Sequence, residues 1–145
     1  MTIAVDFDGT IVEHKYPAIG KERPFALDAL KKLQEEDHKI ILWSVREGKL
    51  LDEAVEFCRQ RGLEFYAVNS DFPNASWSGS GVTRKIKADI YIDDRNLGGI
   101  PDWSEIYTSI SDGSAVRKIR KKSKKKGLFA RWRERMRESR AKMGH

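Results

Sequence analysis

Runs that are apolar at almost every position, rather than at every second one, punctuate the first hundred residues: "IAV" at 3–5, "KIILW" at 39–43, "EFYAV" at 64–68 and "DIYI" at 89–92. A strand with one wet face alternates polar and apolar residues, so a run without alternation belongs to a strand covered on both faces. The segments between the runs have the other period. "PFALDALKKLQEEDHK" sets Phe25, Ala29, Leu30 and Leu33 at helical spacing behind Pro24. "GKLLDEAVEFCRQRG" does the same with Leu50, Leu51, Ala54, Val55 and Cys58, and Gly62 stands where such a helix stops. A last short helix, opened by Pro101 or Asp102, turns Trp103, Ile106, Tyr107 and Ile110 toward the sheet. Strands alternating with helices predict an α/β fold, a three-layer Rossmann-like parallel sheet with helices on both faces.

In such sheets ligands bind beyond the carboxyl ends of the strands. The residues to read are therefore those just past each run: Asp6 and Asp8 after the first, Ser44 and Arg46 after the second, and Asp93 and Asp94 after the fourth, which Lys85 precedes. Strand alternation sends residues i and i+2 to one side, so the Asp6 and Asp8 carboxylates repel unless a cation or a shared task lies between them. Converging carboxylates with a serine hydroxyl and a lysine suit a hard divalent cation and a phosphoryl group. Mg²⁺ takes oxygen ligands of this kind. One carboxylate can then attack phosphorus while a second handles the leaving group's proton, with Lys85 and Ser44 meeting the developing charge.

The pattern resembles the haloacid dehalogenase superfamily of phosphohydrolases. "DFDGT" at 6–10 is similar to its first motif, the hydroxyl of "LWSVR" to its second, the lysine of "TRKIKADI" to its third and "YIDDR" to its fourth, over roughly residues 1–110. The resemblance implies Asp6 as nucleophile and Mg²⁺ ligand. It implies Asp8 as general acid then base, with its main-chain carbonyl a further ligand. Asp94 would bind the metal directly with Asp93 beside it, and Ser44 and Lys85 would hold the phosphoryl group. Cap domains of this superfamily enter after the first motif or between the second and third. Residues 11–23 and 45–84 leave no room for one, so the resemblance is to small capless bacterial members. An open site then implies a large substrate, a neighbouring subunit of a homo-oligomer serving as lid, or closure by the loop around Trp77.

Other residues read more plainly. Arg46 and Arg95 are solvated surface groups that could steer an anion, Cys58 is a small core hydrophobe, Trp43 packs on the sheet, and His14 and His38 take surface or capping roles. Of the 145 residues one is cysteine, which excludes an internal disulfide, and neither a leader pattern nor a transmembrane run is seen, so a reducing cytoplasm is expected. The net charge of +6 divides into −5 for an acidic body, residues 1–111, and +11 for a basic tail, residues 112–145. "RKIRKKSKKKG" is a like-charge block expected to be disordered. Beyond Gly127, residues 128–143 set Leu128, Trp132, Met136 and Met143 near one face of an amphipathic helix rich in arginine. Such a helix suits an anionic membrane or nucleic acid; the plainer reading is a solvated, partly helical tail or one docked on the acidic body. Two functions follow: a cytoplasmic Mg²⁺-dependent phosphatase acting on a phosphorylated substrate through an aspartyl phosphate, or a catalytically silent module that binds through its tail.

Overall fold

The computed structural model describes residues 1–74 and 85–115. Four strands, β1 (Thr2–Val5), β2 (Lys39–Leu42), β3 (Ala67–Val68) and β4 (Ile90–Ile92), pair in parallel in the order β3-β2-β1-β4. With helices α1 (Ala26–Glu35), α2 (Gly48–Arg59) and α3 (Trp103–Ser111) they make the three-layer Rossmann-like α/β fold that the two periods predict. Ile3, Ala4, Val5, Ile40, Ile41 and Leu42 are each at most 1% exposed, which is why β1 and β2 carry no polar alternation.

The register sorts these residues into rows. Tyr91, Ala4, Ile41 and Ala67 stand side by side across the four strands and share a face, where Ile86 joins the buried core and Trp43, Tyr66 and Ala88 pack around it. The next row, Ile92, Val5, Leu42 and Val68, turns to the opposite side. Beyond the last pairs the ladder runs one residue further. Asp6 N donates to the Ile92 carbonyl at 3.0 Å, Trp43 N to the Val5 carbonyl and Asn69 N to the Leu42 carbonyl, both at 2.8 Å. These bonds bring the carboxyl ends of all four strands to one edge.

The chain steps outward from β1 to β2 and β3, then returns to place β4 on the other side of β1. That reversal puts the topological switch point, the crevice where ligands bind in open α/β sheets, at the carboxyl ends of β1 and β4.

Two element boundaries and one helix face differ from the expectation. Phe25 lies outside α1 as its N-cap, in the left-handed region at φ 66°, and its ring meets Tyr107 edge-to-face at 6.2 Å with the Lys32 ammonium 5.0 Å above it. Tertiary ring packing has overridden helical spacing there. The third strand is confined to Ala67 and Val68; Tyr66 N bonds the Ile40 carbonyl at 2.8 Å, and the apolar run before it is not strand. Of the α2 stripe only Ala54 and Cys58 are buried, and Leu50, Leu51 and Val55 are half-covered.

The chain divides into two compact units, Met1–Tyr107 and Thr108–His145. In the second, α3 closes through Asp112 N on the Thr108 carbonyl and Gly113 N on the Ile110 carbonyl, both 3.0 Å, with Gly113 at φ 71°. The loop around Trp77 and the amphipathic segment 128–143 lie outside the described residues. Among the described residues no helix is long and apolar enough to cross a membrane.

Candidate functional site

β1 stops at Val5, and the next residues form a tight turn instead of more strand. The N–H groups of Thr10, Ile11 and Val12 all point to the Phe7 carbonyl, at 3.3, 3.0 and 3.2 Å, while Gly9 adopts φ 86°. A Cβ at Gly9 would lie 2.2 Å from Asp94 Oδ2, so the turn needs glycine both for its dihedral and for this close approach. The turn corrects the expectation that Asp6 and Asp8 face one another. Strand alternation ends before Asp8, and the two carboxylates go to different partners.

Asp6 joins the acids at the end of β4. One carboxylate oxygen each from Asp6, Asp93 and Asp94 lies within 4.8 Å of the others. Thr10, fully buried, holds the group together: its hydroxyl donates to Asp6 Oδ2 at 3.0 Å and accepts the Asp94 N–H at 3.0 Å. Burial pushes the Asp6 carboxyl up to about 7, with the neighbouring charges of Asp93 and Asp94 adding to the rise and the Thr10 hydroxyl and Phe7 N–H opposing it. Asp93 Oδ1 accepts the Arg95 N–H at 2.7 Å, whereas Asp94 Oδ1 is buried with no hydrogen-bond partner among the described residues. A bare buried acceptor costs roughly 1–3 kcal/mol. Converging carboxylates and an orphaned oxygen make a donor set that fits a hard, oxygen-seeking divalent cation such as Mg²⁺.

Asp8 is held elsewhere. Arg46 Nε donates to Asp8 Oδ2 and Arg46 Nη2 to Asp8 Oδ1, each at 2.7 Å, in a two-pronged pair. The same guanidinium donates through Nη1 to the Pro17 carbonyl at 3.0 Å and through Nη2 to the Ala18 carbonyl at 2.9 Å. Its carbon sits 5.2 Å from the Phe7 ring centroid and 5.3 Å from that of Tyr16. Arg46 is 0% exposed, which overturns its reading as a solvated surface group: four hydrogen bonds and two rings replace the water its guanidinium gave up. Hydrogen bonding to the Asp8 carboxylate makes the Arg46 guanidinium hold its proton more tightly than usual.

Ser44 is fixed through Asn69. Ser44 N donates to Asn69 Oδ1 at 2.8 Å, Asn69 Nδ2 donates to the Ser44 carbonyl at 3.0 Å, and Asn69 takes φ 48° to do so. The Ser44 hydroxyl accepts the Arg46 N–H at 3.2 Å. Lys85 is exposed, its ammonium 4.3 Å from the centroid of the Tyr91 ring, and it forms no ion pair with Asp6, Asp93 or Asp94. Two more groups brace the turn: Arg23 Nη1 donates to the Gly9 carbonyl at 2.6 Å, and Trp103 Nε1 donates to the Thr10 carbonyl at 2.9 Å. Asn69, Arg23 and Trp103 gave no local signal for these tasks, because each acts on a partner far along the chain.

No protein-family model and no curated protein matches the chain. Among solved structures it is similar to a conserved protein from Bacteroides thetaiotaomicron, with 65% identity over 78% of this chain and 91% of that one and a TM-score of 0.72. At that identity over nearly the whole solved protein, the chain belongs to the same family as this conserved Bacteroides protein.

Proposed function

We propose that the chain is a Mg²⁺-dependent phosphatase that hydrolyses a phosphate monoester through an aspartyl phosphate on Asp6. The observation that carries this reading is the convergence of Asp6, Asp93 and Asp94 at the switch point, with Asp94 Oδ1 buried and unpartnered. Asp6, Asp93, Asp94 and the Asp8 carbonyl would hold the ion, with Asp94 the direct ligand because Asp93 Oδ1 already serves a turn. Mg²⁺, when bound, supplies positive charge to the phosphoryl oxygens and to the crowded carboxylates. The likeness of "DFDGT", "LWSVR", "TRKIKADI" and "YIDDR" to the haloacid dehalogenase motifs agrees with it.

The residues then take complementary tasks. A carboxylate oxygen of Asp6 attacks phosphorus, and the bond from phosphorus to the alcohol oxygen breaks. Asp8 delivers a proton to that oxygen. It then takes one from the water that attacks the aspartyl phosphate, and inorganic phosphate leaves as Asp6 is restored. Arg46 occupies one lone pair on each Asp8 oxygen, and the outer pairs remain for this traffic. Ser44, fixed by Asn69, and Lys85 bind the phosphoryl oxygens. Among the described residues, the intervals 6–25 and 69–89 add no helix or strand, which supports a capless, open site.

The test is release of inorganic phosphate from a panel of phosphate esters, with Mg²⁺ and with chelator, for wild type and Asp6→Asn. The expected result is turnover that both chelator and Asp6→Asn reduce to background while Asp6→Asn keeps the native circular dichroism. Full activity in Asp6→Asn overturns the mechanism.

A further inference from the structure

Asp8 and Tyr16 are eight positions apart in sequence and are joined in space by one side chain. Arg46 grips the Asp8 carboxylate with one edge of its guanidinium and carries the Tyr16 ring at 5.3 Å. The segment holding Tyr16 is pinned at several points. Pro17 and Ala18 carbonyls accept from Arg46, Glu13 N bonds the Lys21 carbonyl at 2.7 Å, and Arg23 N bonds the Ile11 carbonyl at 2.9 Å. Gly20 packs so tightly that a Cβ there would meet the Glu13 carbonyl oxygen at 1.9 Å. Yet Tyr16 is 49% exposed. An aromatic ring backed by a buried cation, set in a rigid loop and open to water is poorly explained by core packing. Val45, between Ser44 and Arg46 just past β2, is 86% exposed.

We propose that Tyr16 is the specificity-determining residue of the site, a stacking platform for a planar ring in the alcohol part of the substrate, so that the substrate is a nucleoside monophosphate. This rests on the phosphatase reading, in which Asp8 serves the oxygen of the departing alcohol. Arg46 touches both Asp8 and the Tyr16 ring, so the ring lies one guanidinium away from the carboxylate that serves that oxygen. Stacking on an aromatic side chain is sequence-tolerant, since every base has a π-face. A ring already held in place loses little freedom when a base stacks on it.

The test uses the full chain with Mg²⁺ and non-hydrolysable phosphonates, in which CH₂ replaces the bridging oxygen, of adenosine monophosphate and ribose 5-phosphate. Calorimetry should show the adenosine compound binding about tenfold or more tighter than the ribose compound. Tyr16→Phe should keep that ratio. Tyr16→Leu, which still covers Arg46 but has no π-face, should bring it to near one, with thermal melting confirming that both variants fold. Equal binding of the two compounds by wild type overturns the proposal, as does loss in Tyr16→Leu that is the same for both. Base-dependent binding without phosphate release from adenosine monophosphate would leave the platform standing and sink the phosphatase. Phosphate release with no preference for a base would do the reverse.

Discussion

A guanidinium with no exposure, shared among a carboxylate and two carbonyls, leaves an uncompensated buried charge when it is cut away. Arg46→Ala is expected to destabilise the protein by about 3–5 kcal/mol, read from the urea midpoint at constant slope. Arg46→Lys keeps the charge but not the fork, and should recover part of that loss without restoring full turnover. Asp6 gives a second expectation. Its carboxyl is raised from 3.8 to about 7 in the metal-free fold, so between those values the folded state binds more protons than the unfolded chain. The stability it adds is full below about pH 3.8 and is lost as pH rises through 7. Chelated protein should therefore melt several degrees lower at pH 8 than at pH 5, Asp6→Asn should flatten this slope, and Mg²⁺ should raise the melting temperature most at pH 8. A slope unchanged in Asp6→Asn would assign the pH dependence to other groups. At this scale the acids were legible in sequence, because charge beside an apolar run has few structural uses. Arg46 was not, because its partner Asp8 lies 38 residues away.

Elements meet the site through their ends. Trp103 opens α3 and reaches the Thr10 carbonyl, so the helix that follows β4 fastens the turn that follows β1. Trp103→Phe fills most of the space but leaves that buried carbonyl short of a donor. A loss of about 1–3 kcal/mol is expected, with a weaker Mg²⁺ affinity by calorimetry, since Thr10 also positions Asp6 and Asp94. Unchanged metal affinity at reduced stability would limit Trp103 to packing. The strands and helices themselves were readable from their two periods, because burial on both faces and burial on one face write different patterns. Their ends were less so. Phe25 has helical spacing and yet caps α1 in a left-handed conformation, since the Tyr107 ring and the Lys32 ammonium that receive it come from other turns of the chain.

For the whole molecule the charge division is the feature to test, with residues 1–111 at −5 and residues 112–145 at +11. Removing residues 116–145 should abolish salt-sensitive retention on a polyanion column and leave turnover of a small phosphate ester within about twofold. Retention that survives the truncation would move polyanion binding to the body. The amino-acid sequence by itself determined the fold class, the acids at the strand ends and the charge division, because hydrophobic period, residue type and net charge are local or additive properties. The tertiary structure alone decided that Asp6 sits with Asp93 and Asp94 while Asp8 turns to Arg46, and that the Tyr16 ring lies against that same Arg46. Those choices depend on a turn that ends strand alternation and on side chains tens of residues apart competing for the same buried hydrogen bonds, and no local pattern records that competition.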